Sequence, residues 1–206
     1  MLVMKRKMVS AITLTLLLTS MLVLAFNIQP VKASGNICIR ADGSIDPPSA
    51  PISTVDNITY TFTDNIYDSI VVERDNVVID GAGYTLQGTG QHYSMGINLY
   101  DGRNVTVKNT NINNFWVGIS VSSNNNIIFG NNITNNVPGI ILYGSNNVIV
   151  ENNITNNSRE GIYVWGPSGN NTISRNSITD CWYGVGLDCS DGNNTISANS
   201  ITTNSE

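Results

Sequence analysis

Positive charge is scarce in this chain. Four of its ten Lys and Arg residues precede Ser34, leaving six against fifteen Asp and Glu over residues 34–206, a net of −9. A protein that holds nucleic acid by neutralising phosphates needs a basic stripe, so that class is excluded. Histidine is scarcer still. His92 stands alone, with Met95 three residues on. Soft transition metals want imidazole, thiolate or thioether ligands in sets, and no His, Met or Cys ladder recurs here. No cofactor is expected. The three cysteines, Cys38, Cys181 and Cys189, are odd in number. A strand containing Val185 and Leu187 is expected between the last two. At ~3.3 Å per residue of extended chain they stand well beyond the ~7 Å Cα limit for a disulfide. They read instead as small buried side chains at strand ends.

Long apolar runs are also missing, with one exception. Ala11 to Phe26 is apolar over 16 residues, after the basic Lys5-Arg6-Lys7. That length falls short of the ~20 residues that span a bilayer. Val31-Lys32-Ala33 supplies aliphatic and small residues before Ser34. Residues 1–33 therefore read as a secretory signal peptide, and the mature chain as extracellular or at the cell surface. A membrane would enter only through an uncleaved N-terminus or a segment beyond Glu206.

What the chain has is a repeat. Gly96, Gly118, Gly139, Gly161 and Gly184 recur at 22, 21, 22 and 23 residues. Each is followed at +1 by Ile97, Ile119, Ile140, Ile162 or Val185, and at +3 by Leu99, Val121, Leu142, Val164 or Leu187. Apolar alternation marks a short strand with one buried face, and a period near 20 marks a solenoid. The fold class is all-β, a right-handed parallel β-helix of ~22-residue rungs. A second register runs through Ile112, Ile133, Ile154, Ile178 and Ile201, each preceded five residues earlier by Val107, Ile128, Ile149, Ile173 or Ile196.

Two polar series share the inward parity: Asn126, Asn147, Asn171 and Asn194, then Asn131, Asn152, Asn176 and Asn199. Buried amides must be hydrogen-bonded, and stacked asparagines meet that need by amide ladders between rungs. Residues 34–72, with Asp42-Gly43 and Pro47-Pro48-Ser49-Ala50-Pro51, carry turn chemistry and are expected to form an N-terminal cap. Residues 73–206 carry the β-helix repeats and no evident C-terminal cap, which points to a piece of a longer protein or to an end covered by another chain or domain.

The run Val77-Val78-Ile79-Asp80-Gly81-Ala82-Gly83-Tyr84-Thr85-Leu86, with repeats such as Asn147-Val148-Ile149-Val150-Glu151-Asn152-Asn153-Ile154, resembles the NosD-like right-handed parallel β-helix proteins. These belong with carbohydrate-binding proteins and sugar hydrolases built on such repeats. The resemblance covers about residues 55–206 and implies the fold; the repeated residues are structural, so it carries little chemistry. NosD itself is associated with copper-site maturation in a periplasmic enzyme. With one histidine and separated cysteines, that role is not carried over to this chain.

A hydrolase or lyase needs clustered carboxylates. Asp101, Glu160, Asp188 and Asp191 are spread out, and Asp80, Asp101 and Asp191 each precede a glycine, as turn residues do. No catalytic constellation emerges. Aromatics are better placed: Tyr143, Tyr163 and Trp165 fall at outward positions of neighbouring rungs, ~4.8 Å apart. With Glu160 and Asp188 as polar contacts they make a platform for sugar rings, the alternative being ordinary packing of these aromatics at the turns. The chain reads as a surface carbohydrate-binding or structural adhesion module, with a polysaccharide or surface glycan as partner. A polysaccharide-cleaving enzyme ranks second and a copper-maturation factor third. Sequons at Asn57, Asn104, Asn132, Asn153, Asn156, Asn170 and Asn193 are potential glycan sites.

Overall fold

The computed structural model describes residues 35–188 and 192–205. The signal-peptide reading of residues 1–33, and the readings of Cys189 and Asp191, lie outside these. The rest is a parallel β-helix of about six turns, with rungs of about 23 residues. Three sheets run its length, with eight, six and eight strands. Sheet A runs from Ile37–Ile39 through Ile70–Val72, Met95–Leu99, Val117–Val121, Ile140–Leu142 and Glu160–Trp165 to Tyr183–Asp188. Sheet B carries the series ending in Thr195–Ser197, and sheet C the series ending in Ser200–Thr202.

Register follows the aliphatic repeat. Ile97, Ile119, Ile140, Ile162 and Val185 pair in succession in sheet A. Ile79, Val107, Ile128, Ile149, Ile173 and Ile196 do so in sheet B. Leu86, Ile112, Ile133, Ile154, Ile178 and Ile201 complete sheet C. From Ile79 to Ile178 these stacked side chains are fully buried. Each contributes about 1.5–3 kcal/mol relative to exposure. Only in the last rung do Ile196 and Ile201 become 40% and 43% exposed.

The segment expected as a cap supplies strands to the same sheets. Ile37–Ile39 pairs in parallel with Ile70–Val72, and Thr59–Phe62 with Val78–Asp80. Ile66 bridges to Leu86 in sheet C. Two antiparallel strands, Ile45–Asp46 and Ile52–Ser53, then close the edges of sheets A and B.

The asparagines line the inner corners, in three ladders rather than two. The Oδ1 of Asn126, Asn147 and Asn171 accepts the backbone N–H of Val105, Asn126 and Asn147, at 2.8–2.9 Å. Asn131, Asn152 and Asn176 serve Thr110, Asn131 and Asn152 in the same way, at 3.0–3.1 Å. The third ladder serves Phe115 through Asn136, Asn136 through Asn157, and Cys181 through Asn204. The chief rung-to-rung bond therefore runs from amide oxygen to backbone, with amide-to-amide bonds added in the second and third ladders. A corner interrupts the strand ladder, and the side chain supplies the acceptor that the next strand no longer offers.

Paired asparagines follow from this geometry. The residue before most ladder positions turns the chain with positive φ, as Asn125, Asn146, Asn170, Asn135 and Asn156 do at 56–63°. Asparagine tolerates that conformation better than other side chains do.

The repeat glycines have a separate cause, and none of them needs a positive φ. A Cβ on Gly96, Gly118, Gly139 or Gly161 would stand 2.4–2.8 Å from the carbonyl oxygen of the next glycine in the stack. Any side chain there would push adjacent rungs apart.

Candidate functional site

The site lies on the outward face of sheet A. Strand alternation sends Ile162 and Val164 inward and Tyr163 and Trp165 outward. Tyr163 pairs with Ile141 on one side and Gly186 on the other, and Trp165 pairs with Asp188. The three predicted aromatics do come together. Trp165 has Tyr143 at 5.4 Å between ring centroids, tilted by 50°, and Tyr163 at 6.2 Å, inclined by 20°. Trp165 is 44% exposed and Tyr143 39%, so both keep ring surface open to water.

Both carboxylates border this group. The Tyr163 hydroxyl donates to Asp188 Oδ2 at 3.0 Å. Burial, and then this bond, push the Tyr163 phenol above its ordinary pKa, and burial does the same for Tyr143. Both hydroxyls therefore stay protonated donors at neutral pH. Glu160 opens its strand opposite Tyr183 and is only 5% exposed. Its Oε1 accepts from Arg159 Nη2 at 3.1 Å, while its Oε2 is buried with no hydrogen-bond partner. Glu160, expected as a polar contact, is thus set under the surface.

Gly186 was not singled out from the sequence, yet it shapes this corner. A Cβ there would lie 3.1 Å from both Glu160 Cγ and Tyr163 Cδ2, so the two side chains converge over a position without one. The only signal was an exchange in the repeat: Asn98, Ser120, Ile141 and Tyr163 precede it in the same outward column.

The other aromatics form separate groups. His92 stacks on Trp116 at 4.1 Å, with Tyr93 beside them and 82% exposed. Trp182 and Tyr183 stack at 6.3 Å. Cys181 is buried in the third ladder, with its thiol pKa raised by burial, and Cys38 is half-buried in the first strand of sheet A.

A family model described as periplasmic copper-binding protein (NosD) matches residues 45–206. The chain belongs to the NosD family. Neither the curated proteins nor the solved structures compared with it include a match. The family's periplasmic description makes this NosD-family chain an exported protein.

In this NosD-family helix the sequon asparagines all point away from the core. Asn57, Asn104, Asn153, Asn156, Asn170 and Asn193 are exposed and Asn132 is half-buried. Several of their amides are already engaged. Asn153 Nδ2 donates to Asn132 Oδ1 at 2.8 Å, Asn104 Nδ2 to Asn76 Oδ1 at 2.8 Å, and Asn156 Nδ2 to Asn135 Oδ1. Outward columns thus repeat the stacking of the inner ladders, and a glycan on Asn153 or Asn104 would take one of the two N–H groups of an amide that bonds between rungs.

Proposed function

We propose that this protein is an exported carbohydrate-binding module, whose site is the aromatic group Tyr143, Tyr163 and Trp165 on the outer face of sheet A. The observation that carries the reading is the grouping itself. Tyr143 and Tyr163, from two adjacent rungs, lie 5.4 and 6.2 Å from Trp165, and Tyr143 and Trp165 keep exposed surface. A polar floor of Asp188 and Glu160 lies beside them. Aromatic faces give apolar contact to sugar rings, and hydroxyls and carboxylates give direction. The rungs are stacked on a continuous core, so the rings are held on a rigid support.

Cleavage of a glycan finds less support. A glycosidase needs two carboxyl groups flanking one bond. Here Glu160 is buried against Arg159, and Asp188 accepts from Tyr163. Copper finds less again. Among the described residues, no three His, Cys, Asp or Glu side chains come together. His92 stacks its imidazole on Trp116, and Cys181 faces Asn157 inside the helix. These donors do not fit a copper site.

Binding of soluble oligosaccharides by calorimetry tests the proposal. Trp165→Ala is expected to weaken binding by about 1–2 kcal/mol. Full binding by the Trp165→Ala variant would overturn the assignment of the site.

A further inference from the structure

We infer that the site prefers an amino-sugar chain, with a protonated amine received between the rings of Tyr143, Tyr163 and Trp165 and the carboxylates of Glu160 and Asp188. The inference rests on the sugar-binding reading above and names the class of sugar. Ring faces carry negative electrostatic potential and attract cations, tryptophan most strongly. Trp165 has two tyrosines around it at different inclinations, 50° and 20°, so ring faces point in more than one direction.

The acceptors complete the argument. Asp188 is exposed, stands opposite Trp165 in register, and is tied to the tip of Tyr163. Glu160 contributes a second carboxylate whose Oε2 has no donor although the residue is 5% exposed. Leaving a buried acceptor unpaired is costly, and an ammonium brings three donors. The side chain converges with the Tyr163 ring over Gly186, which puts this carboxylate at the base of the ring. Its other oxygen, Oε1, is held by the Arg159 side chain, which is itself 58% exposed. Among the described residues, Arg159 is the cation paired with this corner, through Glu160. Arg40, Lys108 and Arg175 are engaged with Asp46 and Glu73, Asp80, and Glu151. With Glu160 already paired to Arg159, a uronate chain would meet the Asp188 carboxylate as a like charge and an amine would meet it as an opposite one.

The test is calorimetric titration of the full chain with tetramers of glucosamine, glucose and galacturonate at about pH 5.5 and low salt, where an amine is charged. The glucosamine tetramer is expected to bind about tenfold tighter than glucose, from one cation–ring contact plus one exposed ion pair. Asp188→Asn and Glu160→Gln should each cut that ratio to about threefold or less. Asp188 is exposed, so its variant decides the matter even if Glu160→Gln disturbs the fold. Equal binding of glucose and glucosamine overturns the amine preference and leaves the sugar reading standing, as does tighter binding of galacturonate. If no tetramer binds, the sugar reading falls and takes this inference with it.

Discussion

Asn152 and Asn153 are neighbours of the same residue type, and the structure assigns them opposite weights. Asn152 is 2% exposed. Its Oδ1 accepts from the Asn131 N–H and Nδ2, both at 3.0 Å. Its Nδ2 donates to Ile128 O at 2.8 Å, Val150 O at 3.1 Å and Asn176 Oδ1 at 3.0 Å. Asn152→Ala strips the acceptor from a buried backbone N–H and a donor from two carbonyls. A buried orphaned group costs about 1–3 kcal/mol, so the variant should lose about 3–5 kcal/mol. Asn153→Ala removes an exposed amide that bonds only to Asn132, and should cost under about 0.5 kcal/mol. Urea unfolding followed by circular dichroism measures both, and hydrogen exchange at the Asn131 amide reports the broken rung directly.

Asn152→Asp sharpens the test. The acceptor for Asn131 survives, but the second carboxylate oxygen faces the Ile128 and Val150 carbonyls. Burial and those carbonyls raise its folded pKa above the unfolded value of about 3.9. The folded state then binds the proton more tightly. Relative to the parent, Asn152→Asp should be least stable at neutral pH and recover as pH falls through the folded pKa towards about 3.9. Asn152→Ala should show no such trend. Equal losses for Asn152→Ala and Asn153→Ala, with Asn131 protection unchanged, would refute the ladder as a source of stability.

Gly139→Ala places a methyl 2.7 Å from the Gly161 carbonyl and should cost about 1–3 kcal/mol in the same urea assay. Cys181→Asn restores an amide where Asn136, Asn157 and Asn204 carry one in the other rungs. It should stabilise the helix by about 1 kcal/mol, read as a raised urea midpoint. The Cys181 thiol of the parent should resist alkylation in the folded state at neutral pH, because burial raises its pKa, and should react fully in denaturant. Trp165→Ala should leave the urea midpoint within about 0.5 kcal/mol of the parent, since the ring points outward; a large loss would mark it as core.

The sequence by itself determined the rung. Glycine, isoleucine and asparagine recur because each rung must bury the same faces against the next, and stacking converts that demand into a period. It also placed Tyr143, Tyr163 and Trp165 outward, since parity along each strand needs only an inward reference, Leu142 for the first and Ile162 and Val164 for the others. Three matters waited for the tertiary structure. The third asparagine ladder was hidden because Phe115 and Cys181 interrupt its series, so only backbone bonds to Asn136, Asn157 and Asn204 reveal it. The reason for the glycine stack lies in a carbonyl one rung away, a contact between residues 21–23 apart that no local pattern encodes. The setting of Glu160 was decided the same way. Strand parity would send Glu160 inward with Ile162 and Val164, but its side chain meets the outward Tyr163. Its convergence with Tyr163 over Gly186 depends on a missing Cβ in the neighbouring rung, and packing across rungs is a property of the stack rather than of any single strand.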